Sequence, residues 1–350
     1  MKLHTLFNLI SYPSIDLRSP QEFKKGTIPN SINIPILNDD EYRQVGTVYK
    51  LEGKKSAIDL GHNFVCGKVR HTRIKSWINY INNNENCFIY CYRGGLRSQI
   101  AFAWISQNGL YPHVLKGGYK KYRNSVINLH ERYENYEGEW IILGGYTGSG
   151  KTRLLENFEY SINLESIANH RGSAFGKTVL PQPSQVNFES LVTQEYLKRN
   201  HNTILLEDES RLIGKTKLPG QWYDKMQISD LVVLDTEIEQ RSLNIFNEYV
   251  RDPIDMGINA MELCKDYLGA LKKIKKRLGG NHYDTIKTIL NNAFINSDKM
   301  LHLKWIKTLL AKYYDKMYDY KLNIRKENII FRGNENDCKI FLMNLKNNIK

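Results

Sequence analysis

The feature that most constrains this 350-residue chain is Gly145-Tyr146-Thr147-Gly148-Ser149-Gly150-Lys151-Thr152. It fits G-x-x-x-x-G-K-[ST], follows the apolar run Trp140-Ile141-Ile142-Leu143 and precedes the helix-compatible Arg153-Leu154-Leu155-Glu156. Strand, glycine-rich turn and helix in that order open an α/β unit. Gly145, Gly148 and Gly150 let the backbone curl so that successive N–H groups, with Thr147 and Ser149 between them, face one anion. The helix start adds its dipole, Lys151 reaches the terminal phosphate, and Thr152 has the hydroxyl that can hold Mg²⁺. A chance match in such a chain arises on the order of 1–2% of the time at average composition. The motif specifies a diphosphate site and leaves open what carries the diphosphate. Nucleotide chemistry would add an acidic partner at a neighbouring strand end. The candidates are Glu207 and Asp208, after Thr203–Leu206, and Asp235, after Leu231–Leu234.

A second site is written around Cys91. The four-residue strand Cys87-Phe88-Ile89-Tyr90 breaks into Cys91-Tyr92-Arg93-Gly94-Gly95-Leu96-Arg97-Ser98, and Ile100, Ala101, Ala103 and Trp104 then begin a helix. Loop amides, a helix N-terminus, Arg93 and Arg97 should together favour thiolate over thiol and cradle an anion. Two chemistries share such a loop. A sulfurtransferase would hold sulfur or selenium on Cys91, and a phosphatase would use Cys-x5-Arg, which Cys91 and Arg97 match. Tyr90 stands where a phosphatase usually has an activating histidine, which counts against the second. Cys66 is a lesser candidate as a resolving thiol. The five cysteines include no CxxC, so neither a disulfide framework nor a zinc site is expected.

Around these sites the pattern is α/β twice over. Ser14–Arg18, Ile32–Pro35, Cys87–Tyr90 and Val114–Leu115 read as strands, and Ser19-Pro20-Gln21-Glu22 reads as a capped helix start. The polar stretch Glu131–Glu139 reads as a linker between a domain at 1–130 and another at 131–350. Beyond about Pro253 the second domain turns helical. Met261, Cys264, Leu268, Leu271, Ile274 and Leu278 form one apolar stripe ending at Gly279-Gly280, and Trp305, Ile306, Leu309, Leu310 and Tyr313 form another. Both read as core.

Charge points to a polyanionic partner. The formal net charge is +13, and residues 1–130 hold 18 Lys+Arg against 8 Asp+Glu. Such a basic surface favours nucleic acid through counterion release. The basic helix face Lys272, Lys273, Lys275, Lys276, Arg277 is either a solvated surface or a phosphate contact. No apolar run approaches the ~20 residues of a membrane span, and the N-terminus lacks a signal-peptide pattern. A soluble cytoplasmic protein without a membrane partner is the expectation.

Residues 15–35, IDLRSPQEFKKGTIPNSINIP, resemble the opening of a rhodanese domain, with Cys91 at its catalytic position. A rhodanese-like α/β domain followed by a P-loop NTPase-like α/β domain with a helical C-terminal part resembles the bacterial tRNA 2-selenouridine synthase family. CYRGGLRS at 91–98, LKGGYKKYR at 115–123, GGYTGSGKT at 144–152, ANHRGSAFG at 168–176, QPSQVNFE at 182–189 and LEDESRLIG at 206–214 carry that resemblance. So does WIKTLLAKYYDKMY at 305–318, except that Lys316 stands where proline is expected. The resemblance implies a transferase acting on the anticodon arm of tRNAs with 2-thiouridine at the wobble position. The sulfur would first be geranylated from geranyl diphosphate, and selenium from selenophosphate would then replace the geranylthio group. Geranyl diphosphate and selenophosphate would be co-substrates, with a selenophosphate supplier as a further partner. No tightly bound cofactor is implied, and the metal is left unassigned beyond room for Mg²⁺. His170, Arg171 and Ser173 would belong to a loop contacting the diphosphate or the base. Glu207, Asp208, Glu209 and Arg211 read equally as a charge relay, a metal cluster or a salt-bridged edge. Two alternatives stay open, an ATP-dependent tRNA sulfurtransferase and an NTP-switched binding module without chemistry.

Overall fold

The computed structural model describes residues 3–131, 136, 138–199 and 203–348. Within the expected linker, residues 132–135 and 137 lie outside the described residues. The chain forms two compact units, Met1–Glu131 with Ser184–Lys198, and Arg132–Pro183 with Arg199–Lys350.

The first unit is built on a parallel sheet of four short strands, β1 (Ser14–Asp16), β2 (Ser31–Asn33), β3 (Phe88–Tyr90) and β4 (His113–Val114), in the order β2-β1-β3-β4. β1 and β3 are buried at every position, as expected where helices cover both faces. The Ser19 signal is borne out. Its hydroxyl and Glu22 form a capping box on the helix Pro20–Lys25, with Pro20 in the first turn. Ile15, Leu17, Ile89, Trp77 and Trp104 fill one core, where the two tryptophans stack at 6.3 Å. The helix Gln185–Lys198 packs in this unit, far along the sequence from the rest of it. Thr27 N–H donates to Asn187 Oδ1 at 2.9 Å, Gln194 Nε2 donates to the Ile10 carbonyl at 3.2 Å, and Arg123 pairs with Glu189.

The second unit has a five-stranded parallel sheet in the order β11-β10-β5-β7-β6. Its strands are β5 (Glu139–Gly145), β6 (Ser161–Ile162), β7 (Thr203–Glu207), β10 (Asp230–Leu234) and β11 (Ile329–Gly333); β8 (Leu212–Ile213) and β9 (Thr216–Lys217) form a separate antiparallel pair. β5 is central, so the glycine-rich turn leaves the C-terminal edge of the sheet between two neighbours, where α/β sheets bind ligands. The helical part contains Ala260–Leu278, Gly280–Ile295 and Lys299–Leu309, the last running through a π-helical turn, Leu310–Tyr314, into Asp315–Ile324. Gly279 ends the first of these with φ 89°. Both apolar stripes are core, with one exception: Met261 is exposed.

Candidate functional site

In the second unit, the turn after β5 is held from outside by its own carbonyls. Asn244 Nδ2 donates to Gly148 O at 2.9 Å, and Thr236 Oγ1 donates to Ser149 O at 3.0 Å. Arg241, paired through both guanidinium ends with Asp315 at 2.8 Å, lies over the Tyr146 ring. Lys151 Nζ folds back onto the carbonyls of Gly145 (3.0 Å) and Tyr146 (3.4 Å). The helix that follows, Lys151–Leu155, has only five residues. Loop amides and Lys151, more than a long helix dipole, therefore supply the positive field.

Three carboxyl groups face this turn, Glu207 and Glu209 buried and Glu165 half-buried. Glu207, at the end of β7, is 1% exposed and accepts the Glu165 N–H at 2.6 Å. Glu165 lies 3.4 Å from the Thr152 hydroxyl, and its side chain hydrogen-bonds Glu209. Burial pushes the Glu165 carboxyl up to about 8, and the charge of Glu207 adds to this while Lys151 opposes it. Glu207 and Glu209 are likewise pushed up, chiefly by burial and then by a neighbouring carboxylate, Glu209 for the first and Glu165 for the second. The trio therefore retains protons near neutral pH.

Of the acidic candidates read from the sequence, Glu207 alone faces Lys151. Asp208 forms a buried ion pair with Arg325 at 2.7 Å, and Asp235 pairs with Arg332 at 2.7 Å. Glu165 was not among the candidates, because nothing in its local sequence marks it.

The loop 168–176 comes to the same place. Gly172 packs against the Glu209 carboxylate, so closely that a Cβ there would collide with it. Arg171 lies over the Tyr249 ring at 4.8 Å, and Ser173 Oγ is 3.3 Å from the Tyr249 hydroxyl. Arg171, Gly172 and Ser173 join Lys151, Thr152 and Glu209 around a cavity of about 410 Å³. His170 instead lines an adjoining groove of about 620 Å³, in which apolar Leu180, Met256, Ile258 and Leu263 alternate with charged Lys177, Asp252, Glu262 and Asp266. Thr152, Glu165, Arg171 and Glu248 border both spaces, so the groove adjoins the cavity at the turn. Burial, then Arg171, lowers the His170 pKa, and its buried Nδ1 has no hydrogen-bond partner among the described residues.

In the first unit, Cys91 follows β3 and is buried, with a free thiol; Cys66 is free and exposed. The Cys91 loop is clamped by the start of the helix Gly118–Glu131: Tyr119 N–H donates to Cys91 O at 3.0 Å and Lys120 N–H to Tyr92 O at 2.9 Å. Gly118 has φ 56°, and a Cβ on it would strike Cys91 O and Gly94 N. Arg97 pairs with Glu22 at 2.6 Å. Burial lowers the Arg97 pKa, but the hydrogen bond and charge of Glu22 outweigh it and the Cys91 sulfur adds to them, so the net shift is upward. Arg93 is exposed. Beneath the loop, Arg18 is buried in a 2.6 Å pair with Asp16 and stacks 3.8 Å over Tyr119. Among the described residues no group of three or more His, Cys, Asp or Glu could hold a metal ion, and no helix is long and apolar enough to cross a membrane.

Comparison with known proteins falls on the same division. Residues 2–125 match the rhodanese-like domain model, and residues 138–348 match the model described as the tRNA 2-selenouridine synthase AAA domain. A protein of Shewanella frigidimarina named tRNA 2-selenouridine synthase is 40% identical over 335 residues, covering 92% of this chain and 91% of its own. Its namesake in Shewanella denitrificans is 40% identical over 348 residues, covering 95% of both chains. One family model spans the phosphate loop and its carboxyl groups, another spans the cysteine loop, and the full-length relatives contain both: this chain belongs to the tRNA 2-selenouridine synthase family.

Proposed function

We propose that this protein converts 2-thiouridine at the tRNA wobble position into 2-selenouridine in two steps. In the first, the thiocarbonyl sulfur attacks C1 of geranyl diphosphate. The C–S bond forms, the allylic C–O bond breaks, diphosphate departs with the electron pair, and the base loses its N3 proton to water. In the second, selenium derived from selenophosphate replaces the geranylthio group, which leaves as the thiolate. The observation that carries this reading is a glycine-rich turn with Lys151 adjoining a groove that has an apolar wall of Leu180, Met256, Ile258 and Leu263. An allylic diphosphate needs both, a charged cradle for its head and a dry channel for its hydrocarbon.

Lys151 and the amides of Gly148–Thr152 would take up charge as diphosphate leaves, which is positioning and electrostatic work without hydrolysis. Protonated Glu165, Glu207 and Glu209 lower the negative charge such an anion meets. The donors near the turn are all oxygen and fit Mg²⁺: the Thr152 hydroxyl and the Glu165 carboxylate, after losing its proton, would hold it, and it would supply charge neutralisation for the leaving group. Cys91 would position the selenide-level selenium beside Arg97 and Arg93, with no change in its oxidation state. Selenophosphate from its supplier and tRNA, the polyanion for the basic surface, would be met in the cytoplasm.

A second reading, the ATP-dependent sulfurtransferase, draws support from Glu207, an acidic residue at a strand end facing Lys151. The two separate on incubating the enzyme with 2-thiouridine RNA and geranyl diphosphate without ATP. The proposal expects S-geranylated RNA and released diphosphate. RNA left untouched until ATP is added and hydrolysed would refute it.

A further inference from the structure

The unit that holds Cys91 contains a cavity that a small inorganic selenium donor does not account for. It has a volume of about 340 Å³ and is walled chiefly by Leu37, Val45, Ala57, Ile58, Ile100 and Trp104. Leu96 and Arg97, from the helix that follows the cysteine loop, complete it on one side. Leu37 and Trp104 belong to the same apolar cluster as Cys91, and Arg97 feels the Cys91 sulfur electrostatically. Cys91 itself does not line the cavity, but Arg97 belongs to both the cavity wall and the surroundings of the Cys91 sulfur. An anionic donor is bound by N–H groups and guanidinium groups, and an apolar hole contributes nothing to that. Its size suits the small end of ligand cavities.

We infer that this cavity receives the geranyl chain of the S-geranylated uridine while selenium displaces the geranylthio group. The inference rests on the two-step reading above and adds a second isoprenoid site, separate in role from the groove beside the phosphate turn. The chemistry balances without an oxidant or reductant. Hydroselenide adds to C2 of the base and its proton passes to N3. The C2–S bond then breaks, leaving the C2 selenocarbonyl, and geranylthiolate departs with the bonding pair and takes a proton from water. Holding the chain of the leaving group in an apolar wall orients C2 toward the selenium carrier, so the exchange should depend on the alkyl group although that group makes no bond to selenium.

The test uses the full-length protein, sodium hydroselenide, and two synthetic anticodon-arm RNAs carrying either S-geranyl- or S-methyl-2-thiouridine. The wild type is expected to form 2-selenouridine from the geranyl RNA with kcat/KM at least tenfold above that for the methyl RNA. Ala57→Met and Val45→Phe, which fill the cavity, should each shrink that ratio toward one. Equal use of both RNAs by the wild type overturns the inference, and so does a loss in the variants that is the same for both RNAs. The wild-type comparison needs no variant to fold. If the wild type makes no selenouridine from the geranyl RNA at all, the two-step reading itself fails, a result distinct from loss of chain preference.

Discussion

Arg97 donates to both carboxylate oxygens of Glu22, at 2.6 and 3.2 Å, while Glu22 also accepts the Ser19 N–H at 3.0 Å to close a helix cap. One carboxylate thus ties the guanidinium of the cysteine loop to the first helix after β1. With Tyr42 beneath its guanidinium plane at 5.0 Å, Arg97 is held in place before any anion arrives.

Glu22→Gln should therefore loosen Arg97 without removing it. Selenium incorporation is expected to fall about tenfold, with geranylation retained, since loss of one charge-assisted bond is worth roughly 1.5–3 kcal/mol. Glu22→Asp should recover part of it. Mass spectrometry of wobble nucleosides reads both steps, and equal loss of both products would assign Glu22 to general stability.

Substitutions in the two loops should stop the reaction at different points. Lys151→Ala is expected to leave unmodified 2-thiouridine, and Cys91→Ser to let the S-geranylated nucleoside build up. The same measurement decides, and selenouridine produced by both variants would contradict both roles.

Gly118→Ala should destabilise the first unit. Its φ of 56° and the contact with Cys91 O leave no room for a methyl group. A cost of about 1–3 kcal/mol is expected from the conformation alone, seen as a lower midpoint in thermal or urea unfolding. An unchanged midpoint would mean that the clamp on the cysteine loop is loose.

The carboxyl trio gives stability a pH dependence of definite sign. Burial pushes the Glu165 carboxyl up to about 8 in the folded protein, against an ordinary value of 4.5. Between those values the folded state binds more protons than the unfolded one, so this contribution is intact below 4.5 and is lost as pH rises through 8. Glu209→Gln removes one member and should make the decline shallower, raising the melting temperature by a few degrees near pH 8 and changing it little near pH 4.5. Melting curves across that range check it, and a slope identical to the wild type's would show the trio to be solvated.

The phosphate turn was legible because an anion site built from main-chain amides demands glycines at fixed spacing, and the cysteine loop because strand, cysteine and arginines are contiguous. What makes the rest of the site is long-range. Glu207 and Asp208 are adjacent, and residues in succession at a strand end point to opposite sides. One therefore faces Lys151, and the other meets Arg325, a partner no local pattern announces. Glu165 reaches the turn from a separate short helix, Leu164–Ala168. The helix Gln185–Lys198 was equally hidden, since its membership in the first unit rests on Asn187, Glu189 and Gln194 meeting residues far upstream.

That returning helix bears on how the chain is made. Domains ordinarily close one after another as they leave the ribosome, at about 5–20 residues per second. Here the first 131 residues emerge without the helix that completes them, and several seconds of synthesis, including the whole phosphate turn, pass before Lys198 appears. A nascent chain halted between the two would expose the apolar surface around Leu6, Ile10 and Ile28 that Val186 and Leu197 cover in the finished protein, marking that interval as the one in which a chaperone has something to hold.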